Sequence, residues 1–474
     1  MINKNVMAVA VAAALAAPVA AFAQASNVQI YGAIDMSVEQ IWFKGTTAQT
    51  VSTAPAAAQV VGAQSKNDVY SQSSRLGFRG TEDLGNGLKA WFSVESGLGM
   101  GRDNGMTNAL GGRNSAVGLE GGFGNVFVGH WDTPYKSSIT GTMGSYGNGW
   151  LGHGGMLIGG GDSTGTLPNN GCDNMGATQN SNSSVATGTN CGQVEGNATA
   201  FHRRVTNSIQ YWTPRMAGVQ AKFAYVGNGT KSDSVTNAAP ATPVRAHSPT
   251  LFSMNVDYSA GKMQAGISHE RHQGFRATGT FSNATGIAAT TISTNNAAED
   301  TGTHLYGSYD FGVVKIQANY ETLAYGNTAI ANVGTQGVSL GGNNFKRDGW
   351  FLGASAPVGN GRVYGGYSTT SGAKSCGSLG VSAANTANSE GAGAIIASNF
   401  FCGSDTSATA YTLGYERSLS KRTSVYVSYI DLNNKQYATF QPIVAKAGVN
   451  GAGLSTGITG QDMTALNLGM KHAF

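Results

Sequence analysis

Ser74-Arg-Leu-Gly-Phe-Arg-Gly-Thr-Glu-Asp-Leu-Gly-Asn-Gly-Leu-Lys-Ala-Trp-Phe-Ser-Val-Glu95 decides the fold. Leu76 and Phe78 alternate with Arg75, Gly77 and Arg79. After Leu84-Gly85-Asn86-Gly87 the alternation resumes, with Leu88, Ala90, Phe92 and Val94 opposing Lys89, Trp91, Ser93 and Glu95. A period of two places one set on each face of a strand. A Gly- and Asn-rich link of this length closes a tight hairpin.

The same unit recurs along the chain. Ala116–Glu120 reaches Val126 through Gly121-Gly-Phe-Gly124, and Tyr258 reaches Met263 through Ser259-Ala-Gly-Lys262. Phe311 runs directly into Val313 and Lys315. Between such hairpins lie long polar stretches at 44–70, 132–205, 228–249, 372–407 and 433–462. Short turns on one side and long loops on the other predict an up-and-down barrel with two unlike ends, as in an outer-membrane barrel.

The first such segment sets Val28, Ile30, Ile34, Met36 and Val38 against Asn27, Gln29, Asp35, Ser37 and Glu39. Alternation repeats in 219–225, 314–320 and 423–429. In a membrane pore the apolar set faces lipid and the polar set faces water. Further segments begin near Ser73, Arg113, Gly124, Thr206, Thr250, Lys262, His304, Asp348, Gly361, Thr409 and Ala465. The tally predicts about 16 antiparallel strands, an even number suited to a porin-sized barrel. Tyr225, Tyr258, Tyr309, Phe311, Tyr415 and Tyr429 fall at strand ends, where rings would form interfacial girdles. Leu466, Leu468, Met470 and the terminal Phe474 share one parity. The last strand must pair with the first, because lipid does not tolerate an open edge.

Composition agrees. Among 474 residues are 69 Gly and 10 Pro, with 11% charged and 41% hydrophobic residues, where a soluble domain carries about 25% charged. Lys4, the apolar run Val6–Val19 and a small-residue site near Ala21–Ala25 predict a cleaved secretory signal peptide over 1–25, leaving 26–474 as a single barrel domain. Its removal takes one Lys and no acid, so the formal charge falls from +4 to +3. No later apolar run is long enough for a spanning helix. Cys172 and Cys191 fall in one long loop, and Cys376 and Cys402 in another. In an oxidising compartment this favours two disulfides paired within those loops, though three connectivities are open.

Several of these residues carry a resemblance. Ser74–Lys89, Val28-Gln-Ile-Tyr-Gly32, Gly124-Asn-Val-Phe-Val-Gly129 and the terminal Phe474 resemble Gram-negative general porins of the β-proteobacterial type, over about 27–474. The resemblance implies a 16-stranded transmembrane barrel forming homotrimers in the bacterial outer membrane, reached through the periplasm. Lipid and lipopolysaccharide would surround it. It implies passive diffusion of small hydrophilic solutes and inorganic ions, a third loop folded into the lumen, and a C-terminal Phe474 read by the barrel-assembly machinery. Where many members carry Arg after the fifth-strand glycine, this chain has His130.

A pore selects by width and by the charges at its narrowest point. Inward parity makes Arg75, Arg79 and Lys89 a candidate basic wall, with His130 nearby. Opposing acids would come from Asp132, Asp162, Asp173 and Glu195 of the third loop, and Arg203 and Arg204 stand at its exit. A net positive lumen would prefer anions. A substrate-specific outer-membrane channel is the alternative. No enzymatic role, cofactor, metal or nucleic-acid partner is expected. Gly161-Asp-Ser-Thr-Gly165 and Gly147-Asn-Gly-Trp-Leu-Gly152 lack the strand–turn–helix setting of their motifs. His269-Glu-Arg-His272 lacks zinc spacing and puts its histidines on opposite faces.

Overall fold

The computed structural model describes residues 28–48, 59–72, 74–100, 110–143, 201, 204–227, 250–273, 279–281, 290–292, 299–325, 338–340, 345–372, 374, 379–381, 407–435, 438 and 460–474. The signal segment, all four cysteines, Arg203, Asp162, Asp173, Glu195 and both glycine motifs lie outside them.

The strands are β1 (Gln29–Phe43), β2 (Gln64–Ser71 and Arg75–Gly85), β3 (Leu88–Gly97), β4 (Ser115–Gly121) and β5 (Gly124–Asp132). After helix α1 (Pro134–Met143) come β6 (Arg204–Trp212), β7 (Val219–Val226), β8 (Thr250–Ala260), β9 (Met263–Gln273), β10 (Glu299–Asp310) and β11 (Lys315–Tyr325). The sheet ends with β12 (Phe345–Val358), β13 (Gly361–Thr370), β14 (Ala408–Ser418), β15 (Thr423–Asn434) and β16 (Met463–Ala473). Each strand pairs antiparallel with its sequence neighbour, and β1 also pairs with β16, from Ala33↔Ala473 to Phe43↔Met463. The sheet is therefore a closed barrel without a free edge. Three short ladders outside it link 46–48 to 59–61, 279–281 to 290–292 and 338–340 to 379–381. Among the described residues no helix is long and apolar enough to cross a membrane; the chain crosses with strands.

One expectation is corrected. Residues 64–71 are strand, not part of the first loop. Both pieces of β2 pair with β1, and one extra residue separates Met36↔Ser71 from Ala33↔Arg75, a bulge-like break. Side chains repair the gap. Gln72 N donates to Asp35 O at 2.8 Å, Asp35 N donates to Ser74 Oγ at 2.9 Å, and the Gln72 amide reaches Ser37 and Glu39. Polar residues in 72–74 weaken the alternation, which is why this strand looks as if it starts at 73.

The outward set is apolar: Val28, Ile30, Val38, Phe252, Leu305, Leu352, Leu413 and Leu468 are all exposed. Tyr225, Tyr258, Tyr309, Phe311 and Tyr429 are exposed with them, as girdle positions require. The inward set holds Asp35, Ser37, Asn255, Ser268, Gln317, Asn319 and Asn467, all buried. Inner-wall rings repeatedly lie across a glycine of the adjoining strand, as in Tyr31 on Gly77, Tyr306 on Gly266, Phe351 on Gly366, Tyr364 on Gly414 and Tyr426 on Gly469. A methyl group at any of these glycines would stand 2.2–2.4 Å from the ring. These glycines of the described strands therefore serve aromatic close packing within the wall.

Closure uses the same device on the outside. Gly32 and Phe474 exchange backbone hydrogen bonds of 3.2 and 3.1 Å. A methyl group on Gly32 would lie 2.5 Å from both the Phe474 ring and the Arg75 carbonyl oxygen. Gly32→Val is expected to unseat Phe474 and lower the yield of folded barrel, read as loss of the heat-modifiable band on cold electrophoresis. Wild-type yield would show that the ring does not need that seat.

Candidate pore constriction

The loop after β5 turns inward as α1. Thr133 caps the helix: Lys136 N donates to Thr133 Oγ1 at 3.1 Å, and Pro134 takes the first helical position, where its missing N–H costs nothing. Tyr135, Ser138, Ile139 and Thr142, spaced i, i+3, i+4, i+7, form the buried face. That face docks on the inner wall of β8, β10 and β11. Tyr135 N donates to Ser253 Oγ at 3.1 Å, and its hydroxyl donates to Glu321. Ser138 Oγ meets His304 Nδ1 at 2.9 Å, and Thr142 Oγ1 donates to Asn319 Oδ1 at 3.1 Å. The returning end of the loop is held there too: Phe201 stacks on His272 with centroids 4.5 Å apart and packs on Tyr135.

Asp132 ties the root of α1 to the barrel. It receives Lys136 at 2.9 Å, Arg204 at 3.1 Å and Asn114 at 3.0 Å, joining β5, α1, β6 and the start of β4. Beside it lies a second knot. Glu95 of β3 receives Arg113 at 2.6 Å and Arg75 of β2 at 3.5 Å. Arg79 lies over the Tyr31 ring, 5.0 Å from its centroid, and donates to Gln29. Arg75, Arg79, Arg113, Lys136 and Arg204 thus surround two carboxylates, Glu95 and Asp132.

The structure brings Arg75, Arg79 and Asp132 to one wall and sets Lys89 apart. Lys89 is opposite Asp83, four ladder positions below the Arg79↔Ser93 pair and next to the short turn. Asp132 stands among the cations rather than across from them. His130 follows the outward alternation of Val126 and Val128 and is paired with Ser115. His272 faces inward, bonded to Glu270 at 2.8 Å, whereas His269 follows the outward set. The sequence reading omitted Arg113, Lys136 and the Tyr135–Glu321 contact. Thr133-Pro134 is a helix start signal that would have revealed α1, and with it Lys136 one turn beyond Asp132.

The comparisons agree with the barrel fold. A family model described as Gram-negative porin matches residues 8–437. Outer membrane porin protein 32 of Delftia acidovorans is 26% identical over 479 residues, covering all of both chains. Major outer membrane protein P.IB of Neisseria meningitidis is 36% identical over 137 residues, 29% of this chain and 36% of that protein. Among solved structures, the anion-selective porin from Comamonas acidovorans has a TM-score of 0.54 and 24% identity, over 95% of this chain and all of that one. A trimer form of OmpT, an outer membrane protein of Vibrio cholerae, has a TM-score of 0.53 and 16% identity, over 95% of this chain and all of that one.

Proposed function

Because the chain belongs to the Gram-negative porin family and is an outer-membrane channel, we propose that it passes small hydrophilic solutes with a preference for anions, set at the wall where α1 enters the lumen. One observation carries the reading: Arg75, Arg79 and Arg113 of the wall reach water, Lys136 and Arg204 lie deeper against Asp132, and the acids opposite are covered. Arg75 and Arg113 side chains are 32% and 24% exposed, against 11% for Glu95. Across the lumen Glu270, Asp300 and Glu321 are buried beneath α1 and Phe201. A positive, partly dehydrated wall concentrates anions. Reconstituted protein in a KCl gradient should conduct, with a reversal potential of the anion-preferring sign; a cation-preferring sign would overturn the proposal.

Lys136 adds a pH test. Burial lowers its amine to about 8, against the pull of Asp132, which raises it. The ammonium is present below that pH and lost above it. Anion preference should therefore fall as pH rises from about 7 to 9, by up to roughly fivefold for one charge at ~8 Å in water before salt screening. Lys136→Arg, which stays charged, should remove the dependence; persistence would place the titrating group elsewhere.

We read residues 1–25 as a signal peptide, Cys172–Cys191 and Cys376–Cys402 as two disulfides, and the assembly as a homotrimer, the form in which one structural relative is described. Phe474, paired to Gly32 where the barrel closes, fits a residue read by the barrel-assembly machinery. A family of channels supports a role in permeation rather than catalysis.

A further inference from the structure

The inner face of a water-filled barrel is polar by rule, yet four rings gather on it along β3, β5 and β6. Trp91 takes an inward position with Lys89, Ser93 and Glu95, and Phe127 shares the inward parity of Asn125. Trp212 shares that of Gln210 and Ser208. Trp131, two alternations beyond Phe127 on β5, takes the same side, opposite the buried Val205 of β6. The ring centroids of Phe127 lie 5.3, 5.2 and 5.3 Å from those of Trp91, Trp131 and Trp212. Gly118 of β4 makes this possible: a methyl group there would stand 2.6 Å from Phe127 Cβ and 2.8 Å from Trp91.

Phe127 is buried, whereas the three indoles are half-buried and keep surface toward the lumen. Two of the three polar edges are spoken for. Trp91 Nε1 donates to Asn125 Oδ1 at 2.9 Å, and Trp212 Nε1 donates to Gln210 Oε1 at 3.3 Å. What remains for a solute is π surface. Beside it the Lys222 ammonium of β7 lies 4.6 Å from the Trp212 ring centroid. Asp257, on the neighbouring strand, is held by Arg215 at 2.6 Å. The surface runs from Trp131, next to the root of α1, down to Trp212 at the short-turn end of β6.

Resting on the channel reading above, we propose that this surface is a binding subsite for small aromatic carboxylates, met after the constriction. The solute ring stacks on an indole and its carboxylate meets Lys222. A sugar would need free hydrogen-bond donors and acceptors around the rings, and the indole N–H groups of Trp91 and Trp212 are already engaged by the wall.

Benzoate is the probe. Added to the bilayer at constant ionic strength, it should reduce the KCl conductance saturably, and acetate should not. Lys222→Met and Trp212→Leu should each weaken the benzoate block at least fivefold, measured as a fraction of each variant's own conductance. Should a variant fail to insert, tryptophan fluorescence of the detergent-solubilised wild type decides: saturable quenching by benzoate and none by acetate supports the subsite. A benzoate block equal to that of acetate, a block unchanged in both variants, or a block by maltose in its place would overturn it. Absence of KCl conductance would overturn the channel reading itself, whereas normal conductance without a benzoate effect overturns the subsite alone.

Discussion

Arg75→Gln combined with Arg79→Glu is expected to abolish anion preference. The wall carries five cations and two carboxylates, a formal charge of +3, and the double change removes three units. At ~8 Å in water each unit attracts chloride and repels potassium by roughly 0.5 kcal/mol, a difference of about 1 kcal/mol between them. Three amount to about 3 kcal/mol, a drop on the order of a hundredfold in the permeability ratio before screening, and less once salt exceeds about 0.1 M. The variant should fold. Glu95 keeps Arg113 at 2.6 Å, and Arg79 rests on Gln29 and the Tyr31 face rather than on a carboxylate of the wall's ion-pair knots. Reversal potential across a KCl gradient gives the answer. A value equal to wild type would show that selection lies in charges outside this wall.

The barrel was legible in the sequence because lipid leaves the strand little choice. Leu466, Leu468 and Met470 must face outward, and Tyr426, Ser428 and Asn467 must not, so period two alone yields strands and faces. It failed at Gln64–Ser71, where Lys66 and Asp68 occupy inward positions on a segment rich in polar residues on both faces. The constriction was less legible. Arg75 and Arg79 lie on regular strands, and parity placed them inward. Arg113 and Lys136 lie off the strands, where alternation carries no information. Lys89 has the right parity but the wrong height. Parity gives the face of a sheet; only ladder register gives depth along the pore. The aromatic surface escaped for a related reason: Trp91, Trp131 and Trp212 are far apart in sequence, and parity gives each an inward face without the ladder register that brings them to one depth.

The largest structural effect should come from Tyr135→Ala, because α1 depends on its seat. Ten residues in water form at best a marginal helix, and the first turn of α1 carries no acid to favour its dipole. Order therefore comes from the wall. Tyr135 is the most enclosed contact: its ring is fully buried against Phe201 and His304, and its hydroxyl donates to Glu321. Truncation removes the ring and leaves a cavity, a loss of roughly 3–5 kcal/mol for a large aromatic. That exceeds what the Ser138–His304 and Thr142–Asn319 hydrogen bonds return, at about 1 kcal/mol each. The barrel itself does not need α1, since its ladders close through β1 and β16. The expected outcome is an intact, heat-modifiable barrel with a loosened third loop: larger single-channel conductance, larger current fluctuations and faster uptake of bulky solutes in a liposome-swelling assay. Tyr135→Phe separates the two contributions. It keeps the packing and removes one donor to Glu321, so an effect near 1–3 kcal/mol is expected. Conductance and noise should then lie between wild type and Tyr135→Ala. If Tyr135→Ala conducts as wild type does, α1 is not what narrows the pore, and the selecting wall of arginines must act without it.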